Sequence, residues 1–281
     1  MNAESDYIAV NNRILRSETL AFPINDSGFL YGYGVFETIL MQNQQLPFLE
    51  FHYDRLQKSA DFLSIELPLS YQELQDMLKR LITQKGKTHG KLNLYLTAGD
   101  KDPSQAGFQF SSPKLISVIR DYIPKTSSPI SLSLASLSYA PSPLQSYKSL
   151  SYAPYILEQQ AYAPKTPLLL SPDGFLLETP TAAVSCIKDQ TLFFPKTDPA
   201  RQHYRLHSVS EAVIKHHAKD WDIHVEDRSI HIKDLKHMDE IFLCNALQGI
   251  IPVSCIDEDK SLRSGKETER LASLWQSLIL K

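Results

Sequence analysis

The stretch Ser142-Pro-Leu-Gln-Ser-Tyr-Lys-Ser-Leu-Ser-Tyr-Ala-Pro-Tyr-Ile-Leu157 places one lysine, Lys148, in a run of small and aromatic residues. Its neighbours Ser146, Tyr147, Ser149, Leu150, Ser151 and Tyr152 carry no charge, so an amine held there is partly desolvated and more readily deprotonated. An uncharged lysine amine adds to an aldehyde and forms a covalent imine. The segment also reads as a surface lysine at the start of a helix, and only company elsewhere in the chain decides between the two.

Four further segments supply that company. Upstream runs Ile24-Asn-Asp-Ser-Gly-Phe-Leu-Tyr-Gly-Tyr-Gly-Val-Phe-Glu-Thr-Ile39, whose Gly28, Gly32 and Gly34 permit unusual backbone angles and close approach, followed by His52-Tyr-Asp-Arg-Leu56. Downstream come Gly174-Phe-Leu-Leu-Glu-Thr-Pro-Thr-Ala-Ala-Val184 and Met238-Asp-Glu-Ile-Phe-Leu-Cys-Asn-Ala-Leu-Gln-Gly-Ile-Ile-Pro-Val253. In this order and approximate spacing the chain resembles the class IV, fold-type IV pyridoxal-phosphate (PLP) enzymes. These include branched-chain and D-amino-acid aminotransferases and 4-amino-4-deoxychorismate lyase.

The resemblance implies roles residue by residue. Lys148-Ser-Leu-Ser-Tyr152 matches the family's K-[ST]-L-N-[YRL], so Lys148 is the expected covalent anchor and proton carrier, with Tyr152 at the cofactor. Glu178 is the expected partner of the pyridine nitrogen, because a protonated ring is the better electron sink. Arg55 matches the phosphate arginine of "H-x-x-R-L", a role that suits a guanidinium fork; the residues alone also allow a solvated helix arginine. The family's "G-[IV]-[TM]-R" falls on Ser208-Val-Ser-Glu211. There Ser208, Val209 and Ser210 at a helix N-terminus are expected to hold phosphate, an ordinary N-cap being the alternative. Asn245 and Ala246 are expected to line the same phosphate. Thr38 matches a threonine of the lyase that acts as or positions a proton donor, and equally reads as a β-branched strand residue. Departures from the family are Ser27, Tyr33, Ala98, Pro180, Ala183 and Ser208.

A chain of 281 residues, 42% apolar, is long enough for two domains or one large α/β domain. Net charge near −3, without a basic stripe, argues against nucleic acid and for a small-molecule partner, and the resemblance implies a substrate bearing an amine and a carboxylate. The polar N-terminus and the absence of any run near 18 apolar residues predict neither leader nor membrane span, hence a cytoplasmic protein. Three widely spaced cysteines, Cys186, Cys244 and Cys255, fit buried thiols, and no histidine cluster has metal-ligand spacing. His216, His217, His224, His231 and His237 read as surface residues.

Alternation predicts strands at 7–10 and 13–16 around Asn11-Asn12, at 35–40, 91–97 and 114–120, at 167–171 and 175–178, at 191–195 and at 221–225. Apolar spacing predicts helices from Leu49 to about Leu63, over 71–83, over 153–163, from Ser208 or Ser210 to about Ala218, briefly from Ile232, and over 267–280. The Pro- and Ser-rich segment 124–129 reads as a linker. The expectation is a two-domain α/β (α+β) protein of fold type IV. An N-terminal α/β domain over 1–123 would precede a PLP-anchoring, barrel-like domain over 130–281. The resemblance also implies a homodimer. Three activities remain open: a lyase releasing pyruvate and 4-aminobenzoate, an amino-acid aminotransferase, and a PLP-binding relative without turnover. Cys244-Asn-Ala-Leu247, and Ala98 where transaminases often keep arginine, lean toward the lyase.

Overall fold

The computed structural model of the chain describes residues 6–21, 23–104, 106–124, 128–136, 140–259 and 264–280. They form two compact units, one comprising residues up to Ile123 together with Lys148–Tyr152, the other Pro124–Tyr147 and the chain from Ala153 onward. Residues 125–127 of the expected linker lie outside the described residues. The five residues around Lys148, expected in the C-terminal domain, group with the first unit because their backbone pairs with a strand there.

In the first unit, Tyr7–Val10 (β1), Arg13–Arg16 (β2), Gly34–Met41 (β3), Gly90–Thr97 (β4), the short Asp100–Lys101 (β5) and Phe110–Ser111 (β6), and Lys114–Arg120 (β7) are the strands. An antiparallel sheet in the order β2-β1-β7-β4-β3 is joined by the small β5–β6 ribbon. Ser27–Tyr31 (α1), Leu49–Phe62 (α2) and Tyr71–Lys85 (α3) are its helices. Ser70 and Glu73 form a capping box at the start of α3, and Gly86 closes it in the left-handed conformation. The stripes Leu49, Leu56 and Ala60 on α2 and Leu74, Met77, Leu78 and Leu81 on α3 bury against Ile39, Leu92 and Leu94 of the sheet. One face of the sheet is therefore spent on the core, and its other face remains for chemistry.

The second unit is built on a mixed seven-stranded sheet. Its strands are Ile130–Ser136 (β8), Thr166–Leu170 (β9), Ala183–Lys188 (β10), Thr191–Pro195 (β11), His224–Arg228 (β12), Glu240–Asn245 (β13) and Gly249–Ile256 (β14). Their spatial order is β12-β11-β10-β13-β14-β8-β9, with parallel pairs at β11/β12, β14/β8 and β8/β9. Ala153–Tyr162 (α4), Val209–His217 (α5) and Lys266–Ile279 (α6) accompany it. The β13–β14 turn needs Gly249 on two counts. Its φ is +69°, and a Cβ there would lie 2.4 Å from Cδ1 of the buried Trp275 on α6.

Several local expectations are corrected. Phe175–Glu178 forms no continuous strand: isolated bridges join Phe175 to His231 and Leu176 to Leu170, and its backbone bonds are divided between Leu169 and Ser171 on one side and Ile230 on the other. The strand expected at 221–225 begins instead at His224, because Trp221 is bonded back to His217 at the end of α5. Residues beyond Arg16 form a 3-10 turn, Ser17–Thr19. Cys186 and Cys244 are buried thiols, Cys186 pushed up to about 12 by burial, whereas Cys255 is only half-buried and donates to Ser131 Oγ. His231 is half-buried and caps the 3-10 turn Ile232–His237. Among the described residues no helix is long and apolar enough to cross a membrane, and no His, Cys, Asp and Glu group has the arrangement to hold a metal.

Candidate active site

In the first unit the site residues gather around the Lys148 segment, which lies antiparallel along β3. Phe36 N–H donates to Lys148 O at 2.8 Å and Leu150 N–H donates to Gly34 O at 2.9 Å. Gly34 makes this approach possible, since a Cβ there would lie 2.3 Å from Leu96 O and 2.7 Å from Leu150 Cδ1. Gly32, at φ +61°, ends α1, and its carbonyl accepts from Ser151 Oγ at 3.1 Å. The glycine run quoted from the sequence is thus the seat of the lysine segment. Lys148 Nζ sits 4.4 Å from the centroid of Phe36 and 5.4 Å from that of Tyr152, whose rings meet edge to face at 5.3 Å.

Behind this face lies a buried ionic group. Glu37 accepts from Arg55 Nε at 2.7 Å and Nη2 at 2.6 Å, and pairs with His52 Nδ1 at 2.7 Å. Burial alone raises the Glu37 pKa, but the Arg55 charge and the hydrogen bonds from Arg55 and His52 outweigh it and hold the carboxyl at about 2. Burial keeps His52 below its ordinary value despite the Glu37 hydrogen bond, and the Lys148 charge adds to the lowering. A neutral His52 facing a carboxylate carries its proton on Nδ1, which leaves Nε2 as a buried acceptor with no partner among the described residues. Arg55 therefore stands on Glu37 in a fixed orientation. Spacing in the sequence did not pair them, because they are 18 residues apart on a strand and a helix.

In the second unit Glu178 is 6% exposed, with Oε1 accepting from Tyr155 OH at 2.9 Å and Oε2 from Leu206 N–H at 3.1 Å. The Leu206 segment is fixed by its neighbour Arg205, which forms a two-pronged pair with Glu211 at 2.7 and 2.9 Å. Glu211 stands where the family pattern has arginine; here the cation comes from Arg205, six residues earlier, and from Lys215 at 2.7 Å. Ser208 caps α5 by accepting from Glu211 N–H, Val209 is buried, and Ser210 Oγ is fully buried with no hydrogen-bond partner among the described residues. Asn245 spends its Oδ1 on the N–H groups of Leu247 and Gln248, shaping the turn that contains Ala246.

The departures from the family pattern are absorbed locally. Tyr33 donates to Leu63 O and stacks on Phe110 at 5.3 Å, joining the core. Ser27 Oγ donates to Tyr33 O, and Pro180 sits in a turn closed by Thr179 and Ala182. Ala98 and Ala183 are buried. Sequence reasoning missed His52, Tyr155 and Arg205. Only His52, within the quoted "H-x-x-R-L" match, carried a signal.

Residues 34–256 match the family model of the class IV amino-transferases. The chain is 27% identical to the aminodeoxychorismate lyase of Bacillus subtilis over 282 residues, covering 97% of this chain and 94% of that one. It is 24% identical to a D-alanine aminotransferase of Listeria monocytogenes over 279 residues, with the same coverage. A putative 4-amino-4-deoxychorismate lyase from Legionella pneumophila superposes with a TM-score of 0.83 at 25% identity, covering 93% of this chain and 97% of that one. The chain belongs to the class IV amino-transferase family, whose members are PLP-dependent aminotransferases and lyases.

Proposed function

We propose that the protein is a PLP-dependent lyase acting on 4-amino-4-deoxychorismate, releasing pyruvate and 4-aminobenzoate. The observation that carries this reading is the face bearing Lys148. Phe36 and Thr38, two residues apart on β3, share that face, and Thr38 Oγ1 accepts from Asn93 Nδ2 at 2.9 Å. A hydroxyl that accepts from an amide keeps its own O–H to donate, which suits protonation of a departing enolpyruvyl carbon. Ala98, where transaminases often keep an arginine, is packed in the core and offers no cation to an amino acid's carboxylate.

The residues present fit PLP. Ser210 Oγ, buried and unpartnered in the first turn of α5, together with the helix N-terminal N–H groups behind the Ser208 cap, suits a phosphate. In the first unit Arg55, oriented by Glu37, is proposed as a phosphate cation and Tyr152 flanks the lysine; in the second, Val209, Asn245 and Ala246 are proposed as phosphate-lining residues beside Ser210. Bound PLP supplies an aldehyde for the lysine and an electron-withdrawing ring. Lys148 would anchor it and carry the proton, from a position over Phe36 that keeps the amine against aromatic surface. Glu178, oriented by Tyr155 and Leu206 N–H, is the carboxylate that would hold the ring nitrogen protonated. Glu178→Ala is expected to keep the fold and lose about two to three decades in rate, measured as steady-state turnover beside an unchanged circular-dichroism spectrum. Turnover at the parent rate would remove Glu178 from this role.

The aminotransferase reading is kept because the D-alanine aminotransferase likeness spans nearly the whole chain. Holoenzyme is incubated with aminodeoxychorismate alone and, separately, with L- and D-amino acids plus 2-oxoglutarate or pyruvate. Pyruvate and 4-aminobenzoate without a keto-acid acceptor are the expected products. Amino transfer with no lyase product would replace the lyase by the aminotransferase, and silence in both assays would favour a relative without turnover. A homodimer in the cytoplasm completes the proposal. The exposed Phe29 and Phe108 beside Tyr31 supply an aromatic patch for a second copy, and sedimentation of the holoenzyme tests it.

A further inference from the structure

The sheet face that carries Thr38 also carries a cation that the reaction scheme has not used. Strand register places Thr38 opposite Asn93 and Phe36 opposite Tyr95, then Asn93 opposite Val118 and Lys91 opposite Arg120. With side chains alternating, Phe36, Thr38, Asn93, Tyr95 and Arg120 project from one side, while Glu37, Leu92, Leu94 and Ile119 project into the core on the other. Arg120 Nη1 donates to Asn93 Oδ1 at 2.9 Å and to Tyr95 OH at 3.3 Å. Tyr95 in turn stacks on Phe36 at 6.3 Å, the ring over which Lys148 Nζ lies. An unbroken run of contacts thus leads from the Lys148 amine through Phe36 and Tyr95 to Arg120, and a parallel one from Thr38 through Asn93.

The chemistry of this arrangement selects an anion. Arg120 is held by a neutral amide and a phenol, and among the described residues it has no ion-pair partner, so its charge is oriented but not neutralised. A guanidinium held along one edge presents its remaining N–H donors as a fork, the geometry that matches a carboxylate. Lys91, its register partner, adds positive potential beside it. We propose that Arg120, presented by Asn93 and Tyr95, binds a substrate carboxylate on the Lys148 face and is a specificity-determining residue of this enzyme. The proposal rests on the reading that chemistry occurs at Lys148, and it supplies the carboxylate partner that Ala98 does not.

The test compares parent, Arg120→Gln and Arg120→Lys holoenzymes. Calorimetric titration with 4-aminobenzoate, and with the uncharged 4-aminobenzamide, reads the carboxylate contact without turnover. Arg120→Gln is expected to weaken 4-aminobenzoate binding by about tenfold to a hundredfold, with Arg120→Lys between and the amide unaffected. Cofactor absorbance should be equal in all three proteins, and in the lyase assay KM should rise with kcat nearly constant. Equal 4-aminobenzoate affinity in parent and Arg120→Gln, equal losses for acid and amide, or a parent that binds no carboxylate would overturn the proposal. A parent without lyase turnover whose carboxylate binding still depends on Arg120 would remove the lyase reading and keep this site. Lyase turnover with an unchanged KM in Arg120→Gln would do the reverse.

Discussion

Lys148→Ala is expected to abolish useful turnover, with a loss of about two to four decades from proton transfer alone and more from the missing covalent anchor. The fold should survive, because the segment is held by backbone bonds, Phe36 N–H to Lys148 O and Leu150 N–H to Gly34 O, that alanine keeps. Borohydride treatment of the parent should fix the cofactor on the peptide containing Lys148, and the variant should retain none covalently. Addition of small amines separates the two losses: partial rescue points to the proton-carrying role, whereas cofactor fixed on another peptide would displace Lys148 from the mechanism altogether.

The survival of that fold depends on features the sequence displayed unevenly. The hairpin at 7–16 and the helices α2, α3 and α6 were legible because a half-buried element must repeat its apolar residues at its own period. Phe175-Leu-Leu-Glu178 carried strand-forming residues, yet its backbone divides its pairing between Leu170 and His231, a tertiary choice that local pattern does not encode. Helix α1 is five residues with a glycine inside it and has too few turns to show a period. At the site, Lys148, Glu178, Arg55 and Thr38 stood out through motif resemblance. Their partners did not: Glu37, Tyr155 and Asn93 lie on other elements, and each becomes a partner only once strand register or helix packing has brought it within hydrogen-bond distance.

Acid lability is where one of those hidden partners should show most strongly. Glu37, fully buried and held from an ordinary 4.5 down to about 2, contributes stability that is present above pH 4.5 and is lost as pH falls toward 2; the linkage amounts to about 3 kcal/mol. His52 acts in the same direction over a higher range. Its lowered pKa means that the unfolded chain takes up a proton first, so stability begins to fall as pH drops through 6.5. Urea midpoints for the parent should therefore decline in two stages, one near neutrality and one below pH 4.5. Glu37→Gln removes the carboxylate from a buried charged group and leaves the Arg55 guanidinium, 12% exposed, without its counter-charge; a loss of about 3 to 5 kcal/mol at pH 7 follows. The second stage of the decline should also be shallower in the variant, because Glu37 no longer titrates there, while Glu211, Glu240 and Asp173, also held below the ordinary carboxylate range by their partners, keep part of it. A Glu37→Gln protein with the parent's urea midpoint at pH 7 and the parent's acid limb would show that Arg55 and His52 do not depend on Glu37. The fixed orientation of Arg55, on which its proposed hold on the phosphate rests, would then need another source.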